Sequence, residues 1–218
     1  MDKITEIVGL VIYASLAAIA LWGLYHVVMI WSRVGQKRFR TEEEQDEFLE
    51  ALEQPLASGH FAEAEELLDG DRRAVCQLGL LAISNRDMGY AKVQKLVGER
   101  FQRDVLNDLE YRLSWVNTVI KSAPMVGLLG TVIGMMGAFG KLATAENVKA
   151  DQLANDIMVA LITTASGLSI AIPLVLCVTM VNARIQAMED LSGTGLMRIL
   201  DALKPHLEKR KGLPRAAS

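Results

Sequence analysis

The chain has 218 residues, 51% of them apolar and 22% charged, with a formal net charge of -3. That near-neutral balance, without a basic stripe carrying interleaved aromatics, excludes a nucleic-acid surface, and two cysteines are too few for a disulfide framework or a metal cluster. The placement of charge excludes one ordinary soluble domain, because Asp, Glu, Lys and Arg are absent from residues 7–30, 122–140 and 157–183, each run long enough to cross a bilayer.

A short N-terminus, residues 1–6, precedes a first transmembrane helix predicted over 7–32. Its apolar run is too long for a cleaved secretory signal, and its basic flank follows rather than precedes it. Trp22, Tyr25 and Trp31 crowd its second half, where aromatic rings favour the interfacial zone. Arg33, Lys37, Arg38 and Arg40 come next, against Lys3 alone on the other side. The positive-inside rule therefore puts the N-terminus outside and residue 33 onward in the cytoplasm. His26 is a candidate proton carrier, though packing or snorkelling is the more ordinary role for a histidine there.

Residues 33–120 read as a helical domain on the cytoplasmic side. Thr41 and Glu44 have capping-box spacing, and Phe48, Leu49 and Leu52, then Phe61, Ala64, Leu67 and Leu68, recur at helical intervals. Pro55 with Ser58-Gly59, then Asp69-Gly70-Asp71, then Asn85-Arg86-Asp87, mark three breaks. The pattern predicts a small helical hairpin and then a long helix from about Tyr90 that runs into the second span. The acidic run from Glu42 to Glu47 is read as a solvated helix face.

The second span, residues 121–140, carries Pro124 near its start, where a kink is expected, and Gly127, Gly130, Gly134, Gly137 and Gly140 along its length. In lipid, helices associate by close backbone approach, so these glycines mark a face packed on another helix. Thr131 lies among them, and its hydroxyl either bonds back to the carbonyl four residues earlier or faces a lumen. Residues 141–156 form a short outside link, and 184–218 a basic cytoplasmic tail containing Arg184, Arg198, Lys204 and Lys209, a helix expected to be interrupted around Ser192–Gly195 and to end near Pro205.

The third span, residues 157–183, is not uniformly greasy. Thr163, Thr164, Ser166 and Ser169 sit in its first half, where a lipid-facing helix would carry Leu or Val. At about 100° per residue, Asp156, Val159, Ala160, Thr163, Ser166 and Gly167 share one stripe, with Thr164 at its edge. Either tight packing on the glycine face of the second span or a water-containing seam between subunits explains such a face. Asp156 is read either as the N-cap of the third helix or as an outer vestibule for cations. Pro173 is expected to loosen the helix and free the carbonyl near Ser169.

APMVGLLGTVIGMMGAF at 123–139, with ALITTASGLSIAIP at 160–173 and Asn182 beyond it, resembles the MotA/TolQ/ExbB proton-channel family, nearest its three-span ExbB/TolQ branch. The resemblance implies an all-α membrane protein of three transmembrane helices and a cytoplasmic helical domain formed by helix extensions and a hairpin. It implies a homo-oligomer, a pentameric ring in the inner membrane whose second and third helices line a lumen holding a dimer of a single-span partner of the ExbD, TolR or MotB kind. Protons, or alternatively sodium ions, would reach an aspartate on that partner beside Thr131 and Thr164, and their flux would drive the partner's movement. Branch members carry a glutamate just before the Ala-Leu of the third span; Val159 stands there in this chain, which leaves the partner's aspartate as the titrating group. No cofactor is implied. No motif brings a nucleophile, a base and an orienting group together, so the competing reading is a non-conducting membrane scaffold rather than an enzyme.

Overall fold

The computed structural model describes residues 2–144 and 150–208. The middle of the outside link, 145–149, and the basic residues from Lys209 onward lie outside them. The described residues form helices α1 (Asp2–Lys37), α2 (Glu42–Ser58), α3 (Phe61–Leu68), α4 (Ala74–Ser84), α5 (Tyr90–Phe101), α6 (Asn107–Thr144) and α7 (Ala150–Glu208), with a 3₁₀ turn at Arg86–Met88 and a π turn at Gln102–Leu106. Three helices are long and apolar enough to span a membrane, so this is an all-α membrane protein. The chain divides into two compact units, one of residues 1–30 with 112–181, the other of 31–111 with 182–218.

The first unit contains the three apolar runs. In α1, Ile12, Leu16, Val27 and Ile30 are buried, whereas Leu10, Val11, Leu21, Leu24 and Val28 stay exposed on other faces. Gly23 sits on the buried stripe for a steric reason: a Cβ there would lie 2.9 Å from Val119 and 3.0 Å from Leu174, so its absence lets α1 approach both α6 and α7. One turn on, His26 is 6% exposed inside an aromatic cage, its ring stacked on Trp115 and edge-on to Trp22 and Tyr25. Neither of its ring nitrogens reaches a hydrogen-bond partner among the described residues. A buried polar atom without a partner costs about 1–3 kcal/mol, so His26→Phe is expected to stabilise the fold by about 1 kcal/mol, read as a raised unfolding midpoint in detergent. A lowered midpoint would mean that the imidazole is satisfied in the native protein.

In the second unit, α2 to α5 pack on the last turns of α7. Leu196, Ile199, Leu200, Leu203 and Leu207 make one stripe at three- and four-residue spacing, and it buries Leu49, Leu52, Leu56, Leu68, Cys76 and Ile83. Thr41 caps α2 by accepting the Glu44 amide at 3.2 Å; the Glu44 carboxylate returns to the amide of Arg40 rather than of Thr41 itself. Gly59, at φ 79°, ends α2 in the left-handed conformation that a glycine adopts without strain. Arg198 fastens α7 to α2, reaching Glu53 and Asp46 at 2.7 Å each.

Several expectations need correction. Ser192–Gly195 does not interrupt α7, which runs unbroken to Glu208, shortly after Pro205. Tertiary packing overrides the local signal. Ser192 is buried, the amide of Gln45 donates to the Leu191 carbonyl at 2.7 Å, and a Cβ on Gly195 would come within 2.9 Å of that amide. Gly195 thus makes room for a cross-helix hydrogen bond. Between α5 and α6 the helical path widens into a π turn at Gln102–Leu106, where Asn107 donates to the Gln102 carbonyl, and Gly98 interrupts nothing. Pro124 lies inside α6 and Pro173 inside α7, where a proline kink is compatible with a continuous helix.

Cys76 is fully buried in the second unit's core, and burial, with Asp71 beside it, pushes its thiol up to about 12. Since the thiolate is the reactive form, Cys76 is expected to resist alkylation at pH 8 in the native protein and to react once the chain is denatured. Fast native labelling at Cys76 would show that this core opens.

Candidate functional site

The site is built where α6 and α7 cross inside the first unit, and glycine sets its geometry. A Cβ on Gly127 would lie 2.6 Å from the Thr163 carbonyl oxygen, one on Gly130 2.6 Å from the Thr163 hydroxyl, and one on Gly134 2.7 Å from the Ala160 Cβ. From the other helix, a Cβ on Gly167 would lie 2.5 Å from the Ala123 carbonyl oxygen and 3.2 Å from the Cα of Pro124. The two helices therefore touch at four levels, over about three turns of α6, running in opposite directions. Of the two explanations for a small and hydroxylated face, close packing within one chain accounts for Thr163, Ala160 and Gly167, which are buried there.

That approach brings three hydroxyls and two backbone carbonyls together. Thr163, 4% exposed, lies 2.7 Å from the Ala160 carbonyl oxygen and 2.9 Å from that of Gly127. Thr131 donates to the Ala160 carbonyl at 3.0 Å and is 3.4 Å from the Gly127 carbonyl four residues earlier, so its back-bond is the longer of the two. Thr164 lies 3.2 Å from the Gly127 carbonyl, and its hydroxyl meets that of Thr131 directly. Thr131 and Thr164 are only half-buried, unlike Thr163. The result is a closed network with no fixed charge, in which every hydroxyl can both give and take a hydrogen bond. Ser166 and Ser169 stand apart from it, each bonded to the carbonyl four residues earlier at 2.8 Å.

The carbonyls of Gly127 and Ala160 carry no sequence signal of their own, since neither residue has a polar side chain. The available clue is that small residues fall at the same level as the threonines on both helices.

Asp156 is elsewhere. Because α7 starts at Ala150, Asp156 lies in its second turn and is not the N-cap. Its carboxylate pairs with Lys141 at 2.9 Å, so a cation already stands where a vestibule would attract one. Pro173 and Val159 are both exposed, Val159 at 44%. No group of three or more His, Cys, Asp or Glu suited to a metal occurs among the described residues.

The sequence pattern of the MotA/TolQ/ExbB proton channel family matches residues 76–192, which contain both crossing segments. The Tol-Pal system protein TolQ of Haemophilus influenzae is 39% identical over 85 residues, covering 39% of this chain and 37% of that protein. The biopolymer transport protein ExbB of Helicobacter pylori is 35% identical over 97 residues, 44% of this chain and 66% of that protein. A putative ExbB homolog of Methanothermobacter thermautotrophicus is 28% identical over 167 residues, 77% of this chain and 59% of that protein. The chain thus aligns with little more than a third of the TolQ relative's length. With more than half of its residues inside the family's pattern, and with the glycine-packed hydroxyl crossing within the matched stretch, the chain belongs to the MotA/TolQ/ExbB proton channel family.

Proposed function

We propose that this protein is the ion-conducting ring subunit of an energy-transducing complex in the inner membrane, and that the half-buried hydroxyls of Thr131 and Thr164 form its ion pathway. The observation that carries the reading is the uncharged network of Thr131, Thr163 and Thr164 on the Gly127 and Ala160 carbonyls. Such a network passes a proton by exchanging donor and acceptor roles, and it does so without the cost of burying a fixed charge. Thr163, the most enclosed of the three, holds the two carbonyls in place behind the pair.

In this reading, copies of the chain, five in the ring that the family resemblance implies, present α6 and α7 to a lumen. A dimer of a single-span ExbD/TolR/MotB-like partner occupies that lumen, and an aspartate on the partner takes the proton from beside Thr164. The N-terminus faces the periplasm and the C-terminus the cytoplasm, because Arg33, Lys37, Arg38 and Arg40 follow the first span. Protons suit the network better than sodium, since hydroxyls relay a proton by exchanging donor and acceptor roles. Pro124 and Gly167 meet at one end of the crossing and fix the level at which the hydroxyls stand. Asp156, held by Lys141, is given no part in conduction.

The alternative is a scaffold that anchors its partner through glycine faces and conducts nothing. Its support is that those faces are satisfied within a single chain. Proton uptake into liposomes containing the chain with and without its partner separates the two: partner-dependent uptake supports the channel, and equal, background uptake in both preparations supports the scaffold.

A further inference from the structure

Beside the hydroxyl network, on the side towards the start of α1, the three membrane helices enclose a groove of about 430 Å³. Gly9, Leu10 and Ile12 of α1, Ile133 and Gly137 of α6 and Val159 of α7 line it. Lys141 and Asp156, the ion pair at 2.9 Å, stand at the groove's charged end, where α6 finishes and α7 begins. We propose that this groove binds one acyl chain of a phospholipid with a zwitterionic phosphoethanolamine headgroup, whose phosphate meets Lys141 and whose ammonium meets Asp156.

Size and charge together choose the occupant. One turn of helix, about 10 Å across and 5.4 Å long, already displaces roughly 420 Å³, so the groove is too small for a partner helix and suits a single flexible chain. Away from the charged end its lining is mostly apolar and includes Gly9, Gly134 and Gly137, where side chains would otherwise fill it. Among the described residues the charged end carries one charge of each sign, within hydrogen-bond distance of each other. A headgroup with a net negative charge would satisfy Lys141 and be repelled by Asp156, whereas one bearing phosphate and ammonium two carbons apart satisfies both.

The sharpest probe is Gly9, because a Cβ there meets nothing within 4 Å, so Gly9→Leu fills the groove without disturbing the helix packing. The full-length chain, purified and stripped of lipid, is offered equal amounts of phosphatidylethanolamine and phosphatidylglycerol and examined by native mass spectrometry. The wild type is expected to retain one phosphatidylethanolamine per chain, in about tenfold preference to phosphatidylglycerol. Gly9→Leu is expected to lower that retention about tenfold, and Lys141→Gln combined with Asp156→Asn to abolish the preference between headgroups. Equal retention of the two lipids, undiminished retention by Gly9→Leu, or displacement by soluble phosphoethanolamine would each overturn the proposal. So would efficient disulfide linking of Gly9→Cys chains to one another in membranes, which would give the groove to a second copy.

Discussion

Thr164→Val is expected to lower partner-dependent proton uptake by about 100-fold or more while the chain still folds and still binds its partner. The substitution keeps the volume and removes only the hydroxyl. The network explains why folding survives: Thr131 keeps the Ala160 carbonyl and Thr163 keeps the Gly127 carbonyl, so no buried donor is orphaned. What disappears are the two contacts that the Thr164 hydroxyl makes across to α6, with the hydroxyl of Thr131 and with the Gly127 carbonyl at 3.2 Å. A factor of 100 is the lower end of what a positioned proton donor and acceptor contributes. Thr164→Ser, which retains the hydroxyl, is expected to recover most of the uptake. Full uptake in Thr164→Val, with partner binding verified, would remove Thr164 from the pathway; loss in both variants alike would assign the effect to the fit of the side chain rather than to its hydroxyl.

Gly127→Ala is expected to cost about 3 kcal/mol of stability, the upper end of what overpacking a close-fitted interface takes. Its Cβ would stand 2.6 Å from the Thr163 carbonyl oxygen and 3.0 Å from the Thr164 Cα. Neither atom can rotate aside, so α6 and α7 must separate, and the hydroxyl network must open with them. The measurement is the shift of the unfolding midpoint in mixed micelles, with Gly193→Ala as the control. Gly193 lies in α7 with nothing within 4 Å of its missing Cβ, and there alanine should stabilise by about 0.5–1 kcal/mol through helix propensity alone. If Gly127→Ala shifted the midpoint no more than Gly193→Ala does, the contact between the two backbones would be looser than described.

Much of this was legible in the sequence where a physical pattern is local. Three charge-free runs predict three membrane helices, and the glycine spacing of the second span predicts its close neighbour, because lipid offers helices little reason to associate other than fit. Thr131 and Thr164 stand out as hydroxyls in apolar surroundings. What was not legible depends on partners distant in the chain. Gly193 and Gly195 look like a break until Gln45, about 150 residues earlier, is seen donating across to Leu191. Asp156 has cap-like chemistry, yet it is half of an ion pair because α6 continues to Thr144 and carries Lys141 to it. The acceptors of the network are carbonyls of Gly127 and Ala160, and a backbone oxygen has no letter in the alphabet of side chains.

The glycine crossing also bears on which second-site suppressors a genetic screen can return. At Gly134 the obstacle is the methyl group of Ala160, so Gly134→Ala has a natural rescuer in Ala160→Gly, which moves the methyl from one helix to the other. At Gly127 and Gly167 the nearest obstacles are carbonyl oxygens, which every amino acid possesses in the same place. Revertants of those two lesions should accordingly be restorations of glycine itself, never exchanges at the facing position.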